Sequence, residues 1–204
     1  MKYKIILILF ILSILHQNLT AENLKVKWVY DGDTVLLSNN KKVRYIGINT
    51  PEIDHGDQKG EPFGYKSKSA NRRMVSSQKI LLKFDIEKSD RYGRTLAYVF
   101  LGNGTFINAE LIRNGFAHCL VKKPNVKYKD LFIKLQRFAI SNKKGIWKNF
   151  KNKLDRYIGN KNSFRFHRQN CINGRRVRKK NKVHFSTRKD PFLVGYSPCK
   201  KCKP

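Results

Sequence analysis

Three short stretches of this 204-residue chain gather side chains that can act on a phosphate ester. They read Asp31-Gly32-Asp33-Thr34, Arg44-Tyr45-Ile46-Gly47-Ile48-Asn49-Thr50-Pro51-Glu52 and Asp90-Arg91-Tyr92-Gly93-Arg94. Cleaving a phosphodiester needs a nucleophilic water, stabilisation of charge around phosphorus, and shielding of the scissile phosphate. Carboxylates, guanidinium forks and a hard cation held by oxygen donors meet those needs. Taken singly the residues are bland: Asp31-Gly32-Asp33 is an ordinary turn, Arg44 and Arg94 are solvated strand charges, and Glu52 is a surface carboxylate. A second grouping is His167-x3-Cys171 and Cys199-x2-Cys202, separated by a 27-residue interval. Two such short pairs can each chelate one edge of a metal tetrahedron.

The elements that must carry these residues are short strands and a few helices. Leu24 to Tyr30 alternates apolar and polar residues, and Thr34 to Leu37 and Val43 to Ile48 read as further strands around the Asp31-Gly32-Asp33 turn. Pro62 opens an amphipathic helix expected to end near Gln78. Ile80, Leu82, Phe84 and Ile86 alternate as a strand, and Leu96 to Leu101 is its partner after the Gly93 turn. Ile107 to Arg113 and Tyr128 to Ala139 read as helices, the second with Leu131, Leu135 and Phe138 on its apolar face. This order predicts an α+β fold, an OB-type five-stranded β-barrel with about three helices, followed by a small metal-stabilised basic module.

The three stretches, together with Pro62-Phe63-Gly64, Leu96-Ala97-Tyr98 and Gly145-Ile146-Trp147, resemble the staphylococcal nuclease (thermonuclease) family from about Val26 to Trp147. The resemblance implies an OB-type barrel and calcium-dependent hydrolysis of DNA and RNA to products ending in 3′-phosphate. Asp33, the residue at position 49 and the carbonyl of Thr50 would then be calcium ligands. Glu52 would position or deprotonate the attacking water, and Arg44 and Arg94 would grip phosphate oxygens. Asn49 stands where the family has a second aspartate, so calcium should bind more weakly. The loop after Gly115 reads Leu120-Val121-Lys122-Lys123-Pro124 without the family's tyrosines, so Lys122 and Lys123 are expected to contact phosphate instead of stacking on a base.

Residues 148–204 hold 18 Lys and Arg against 2 Asp and Glu. Their apolar content is thin, so a module of this size needs a metal or a disulfide to hold it. The expected layout is a signal peptide at 1–21, the catalytic barrel at 22–150, a linker at 151–161 and the module at 162–204. His167, Cys171, Cys199 and Cys202 are spaced as in the zinc-binding domain of the Ada DNA-repair family, and Val183-His184-Phe185-Ser186 and Gly195-Tyr196-Ser197-Pro198 are also similar to it. That family has cysteine at the first position and methylates it; with His167 there, methyl acceptance should be absent while a structural zinc site remains. A disulfide involving Cys171, Cys199 or Cys202 is the alternative. Cys119 is expected as a small buried hydrophobe, and His118 and His184 as surface or packing residues. Arg175, Arg176, Arg178, Lys179 and Lys180 form a basic run expected to raise salt-sensitive affinity for nucleic acid.

The whole chain carries 44 Lys and Arg against 14 Asp and Glu, a formal charge of +30, which makes nucleic acid or another polyanion the default partner. With 40% hydrophobic residues there is material for a core, which argues against wholesale disorder. Beyond the N-terminus nothing approaches the ~18 apolar residues of a spanning helix. At the N-terminus, Lys2 and Lys4 precede an apolar run from Ile5 to Leu15 and an exit at Thr20-Ala21, the layout of a cleaved secretory signal. The expected protein is therefore a secreted or periplasmic monomer that binds DNA or RNA, carries Ca2+ in its barrel and Zn2+ in its tail, and spans no membrane after signal cleavage. Rival readings are a non-catalytic nucleic-acid binder, a protein of anionic surfaces, and a protein of alkylation repair.

Overall fold

A computed structural model describes residues 24–204 of the chain; the signal peptide expected at 1–21 lies outside the described residues. Three strands, β1 (Val26–Val29), β2 (Thr34–Leu37) and β3 (Lys42–Tyr45), run as an antiparallel meander. β3 then pairs in parallel with β6 (Thr95–Leu101), which pairs antiparallel with β5 (Ile80–Lys83). The sheet order is β1-β2-β3-β6-β5. An antiparallel bridge from Leu24 to Ile80, whose N–H donates to the Leu24 carbonyl at 2.8 Å, joins the two edges. Closure removes the free edges of a short sheet and makes the OB-type barrel.

Val35, Leu37, Val43, Tyr45, Ala97 and Val99 fill the barrel because alternate strand positions face inward. Helices α1 (Gly64–Val75), α2 (Ile107–Arg113) and α3 (Lys129–Ser141) pack around it. The stretch read as one strand from Val43 to Ile48 breaks at Gly47, whose φ of +80° is left-handed backbone. A Cβ there would lie 2.4 Å from the Phe132 ring, so the position needs glycine twice over. Past the break, β4 (Ile48–Asn49) pairs with β7 (His118–Cys119).

Three expectations are corrected. β5 stops at Lys83 and does not reach Ile86; Phe84 and Ile86 are exposed, because Asp85 turns away to accept hydrogen bonds from Tyr98 Oη (2.7 Å) and the Lys127 N–H (3.0 Å). On α3, Leu131 and Phe138 are exposed, and the buried stripe is Phe132, Gln136 and Ala139. Gln136 can be buried because its amide accepts from the Cys119 N–H (2.7 Å) and donates to the Phe192 carbonyl.

The third correction concerns residues 151–161, expected as a linker. Leu154–Asn160 is strand β8, the centre of a second sheet. It pairs antiparallel with β9 (Arg165–Arg168) and β10 (Lys182–Thr187), and β11 (Ser197–Pro198) runs parallel to β9. Two short helices, α4 (Ile172–Arg175) and α5 (Asp190–Leu193), lie between these strands. Ala139 and Trp147 share one buried cluster with Tyr157, Phe166, Phe192 and Tyr196 of the C-terminal sheet. The thin apolar content of the tail is thus supplemented by α3 and Trp147.

Candidate active site

Asp33 ends the Asp31-Gly32-Asp33 turn and is buried. Its N–H donates to Asp31 Oδ1 at 2.9 Å, the local bond that favours aspartate in turns. One carboxylate oxygen accepts from Thr34 Oγ1 (3.1 Å) and faces Arg44 Nε at 3.0 Å; the other accepts from the Thr50 N–H at 2.8 Å. Gly32 allows this approach, since a Cβ there would sit 2.6 Å from the Thr50 side chain. Burial, with help from the Asp31 charge, pushes the Asp33 carboxyl up to about 6, against the opposing pull of Arg44 and the Thr50 and Thr34 hydrogen bonds.

Arg44 projects from β3 between two of the expected calcium ligands. Besides Asp33 it contacts Asn49 Oδ1 (Nη2, 3.2 Å) and the Tyr45 carbonyl (Nη1). Asn49 in turn donates to the Thr50 carbonyl at 3.0 Å. Arg94, at the start of β6, is gripped by Asp90 Oδ2 through Nε (2.8 Å) and Nη2 (2.7 Å). Burial pushes the Asp90 carboxyl up, but Arg94 and the N–H groups of Arg94 and Tyr92 outweigh it and hold the group below its ordinary range. The loop of Glu52 is braced by α1: a Cβ on Gly64 would lie 2.2 Å from the Glu52 carbonyl oxygen.

Asp33, Arg44, Asn49, Glu52, Arg94 and Lys122 line a single cleft of about 220 Å³. Thr50 lies beside it, bonded to Asp33 and Asn49. Lys123 and the run Arg175, Arg176, Arg178, Lys179 and Lys180 are exposed and do not line it. The sequence reading missed Asp31, Glu87 and Asp90 as lining carboxylates, although each sits in or beside a recognised stretch. It also missed Arg165 and Lys200 of the C-terminal sheet, for which no local pattern signals a place in the cleft.

The donors fit a hard divalent cation. Asp31, Asp33, Asn49, Thr50 and Glu52 offer oxygen atoms, and the raised pKa of Asp33 marks a buried carboxylate that added positive charge would stabilise. Asp31, Glu52 and His55 also bring ligand atoms within 4.8 Å of one another.

In the C-terminal sheet His167, Cys171, Cys199 and Cys202 bring their ligand atoms within 4.8 Å of one another, and all four cysteines of the chain are thiols. Burial and the Arg165 charge lower the His167 pKa and favour the neutral imidazole that a metal requires. Burial raises the Cys199 pKa, but hydrogen bonds from the N–H groups of Cys202 and Lys201 and from the Asn173 amide turn the net shift downward. Burial, with the neighbouring Cys171 and Cys199, pushes the Cys202 thiol up to about 12. Two nitrogen- or sulfur-bearing pairs at tetrahedral reach fit zinc. Elsewhere Cys119 and His118 are buried and His184 is exposed.

Fold and cleft together define an OB barrel whose open face sets carboxylates and guanidinium groups around a space suited to a phosphate and a cation. Residues 42–149 match the model of the staphylococcal nuclease homologue family, and the chain belongs to that family. It is 37% identical over 135 residues to a thermonuclease of Staphylococcus hyicus, covering 65% of this chain and 79% of the relative. A thermonuclease of Staphylococcus intermedius is 35% identical over 130 residues, 62% of this chain and 77% of that one. Endonuclease YncB of Bacillus subtilis is 36% identical over 130 residues, 61% of each chain.

Proposed function

We propose that the chain is a calcium-dependent nuclease that hydrolyses phosphodiester bonds of DNA or RNA and leaves 3′-phosphate ends. The observation that carries this reading is the convergence of Asp33, Arg44, Asn49, Glu52 and Arg94 on one cleft. Asp33, Asn49 and the Thr50 carbonyl, with Asp31 beside them, would hold a calcium ion, which when bound supplies charge shielding at the scissile phosphate. Glu52 orients the attacking water and accepts its proton at a carboxylate oxygen. Arg44 and Arg94 place guanidinium N–H groups on the phosphate oxygens, where they count most as negative charge gathers in the transition state. The bond from phosphorus to the 5′ oxygen breaks, so the phosphate stays on the 3′ end of one fragment and the 5′ hydroxyl leaves with the other.

The N-terminal signal supports export, so the working site is outside the cell or in a periplasm, with a monomeric enzyme. No helix among the described residues is long and apolar enough to cross a membrane. The Cys/His cluster holds a structural zinc ion.

Digestion of single-stranded DNA, double-stranded DNA and RNA with calcium, with magnesium or with chelator tests the reading, alongside Glu52→Ala. Cleavage that requires calcium and falls by about 10²-fold or more in the variant is the expected result. Nucleic acid bound but uncut under every metal would instead make the barrel a binding platform.

A further inference from the structure

The C-terminal sheet reaches into the cleft with two cations. Lys200 Nζ lies 3.0 Å from Glu52 Oε1, and Arg165 lines the same wall. Both are set by the architecture of their own sheet. Arg165 lies on β9 opposite Ser197 of β11, and its Nη1 donates to the Pro198 carbonyl at 2.9 Å. Lys200 sits between Cys199 and Cys202, and the Cys199 N–H donates to the Phe166 carbonyl at 2.9 Å.

Charge decides what these groups are for. Without them the lining has three cations, Arg44, Arg94 and Lys122, against five carboxylates. The two additional cations bring the lining to parity before any metal adds charge, which favours entry of a polyanion. Arg165 is half-buried and lines the cleft, yet it makes none of the ion pairs found among the described residues. A half-buried guanidinium without a carboxylate partner is left with charge to offer, and an entering anion would pair with it.

We propose that Arg165 and Lys200 are substrate-contacting residues that form a second phosphate-binding subsite in the cleft, gripping the nucleic-acid backbone beside the scissile position. The subsite rests on the nuclease reading of that cleft. It moves the main substrate contact of the C-terminal sheet from the exposed run Arg175 to Lys180 to two residues outside it.

The test uses the full chain. Binding of a labelled single-stranded oligothymidylate is followed by anisotropy in calcium-free buffer across a salt series, and KM and kcat are measured separately with calcium. Arg165→Ala should weaken binding about tenfold, and Lys200→Ala should weaken it severalfold. Each should make the salt slope shallower by about 0.7, the value for one phosphate contact on a single strand. Both should raise KM, and Arg165→Lys should recover part of the loss. Lys161→Ala, at an exposed cation in the turn between β8 and β9 that does not line the cleft, is the control. If the wild type cleaves but both variants bind and titrate with salt as Lys161→Ala does, the subsite is overturned and the nuclease reading stands. If both variants bind weakly while the wild type cuts nothing, the two cations contact nucleic acid in a cleft that only binds it, and the nuclease reading falls together with the subsite beside a scissile position. Lys200 is exposed, so its variant keeps the test decisive even if Arg165→Ala disturbs β9.

Discussion

The residue on which most of the cleft turns is Asp33. It is buried against Arg44 and bonded through Thr50, so charge removed from either neighbour is felt directly. Arg44→Ala would strand a buried carboxylate and should cost about 3 kcal/mol of stability by denaturant titration. Adding Asp33→Asn should restore much of that stability without restoring cleavage. Asn49 sits at the same junction, accepting from Arg44 and donating to the Thr50 carbonyl. Asn49→Asp would add a negative oxygen donor beside Asp33, and the calcium concentration for half-maximal cleavage should fall by about tenfold. An unchanged calcium requirement would remove Asn49 from the ligand set.

Elements were legible to the extent that their periodicity was local. β1, β2, β6 and the positions of the three barrel helices along the chain follow apolar spacing, with shifts of a few residues at their ends. β5 was overextended because alternation persists through Ile86 in a segment that a hydrogen-bonded Asp85 pulls off the sheet. The face of α3 was misread because its central buried residue is a glutamine, which apolar spacing cannot reveal. The junction of β7, α3 and α5 also buries His118, whose Nδ1 is paired with the Cys119 carbonyl at 2.9 Å and whose ring meets Phe192 edge-on at 5.9 Å. Burial lowers its pKa to about 4. Between pH 6.5 and 4 the unfolded chain binds this proton and the folded chain does not, so stability falls as pH falls through that window. Full loss amounts to about 3 kcal/mol. Melting curves over this range should show a shallower pH dependence in His118→Gln.

At the scale of the whole molecule, the two sheets share a core. Phe192 touches Trp147 (5.0 Å between ring centroids), Phe150 (5.6 Å) and Phe166 (5.1 Å), while Gln136 and Arg137 bond to the backbone of α5. Phe192→Ala should cost about 3 kcal/mol or more. A chain ending at Phe150 should melt below the full protein and expose the Trp147 face; an unchanged melting temperature would mean that the barrel needs nothing from the tail. On the proposed zinc occupancy of the Cys/His cluster, a zinc-selective chelator in excess calcium should loosen the loop that carries Lys200. Affinity for single-stranded DNA should then fall at least to the level of Lys200→Ala, while calcium-dependent turnover of bound substrate is largely kept.

The sequence by itself determined the residue types of the cleft, the short-strand architecture and the spacing of the Cys/His cluster, because each is written in neighbouring positions. Turns, alternation and chelating pairs are local physics. Only the tertiary structure decided that residues 154–160 are a strand, that Gln136 is a core residue, that Lys200 meets Glu52 across 148 positions of chain, and that Arg165 lines the same cleft. Those outcomes depend on which surfaces bury one another, and a run of basic residues with scattered aromatics does not state which neighbour will cover it. The aromatic face of the tail found its cover in Trp147 and α3, and that packing carried its cations to the mouth of the barrel.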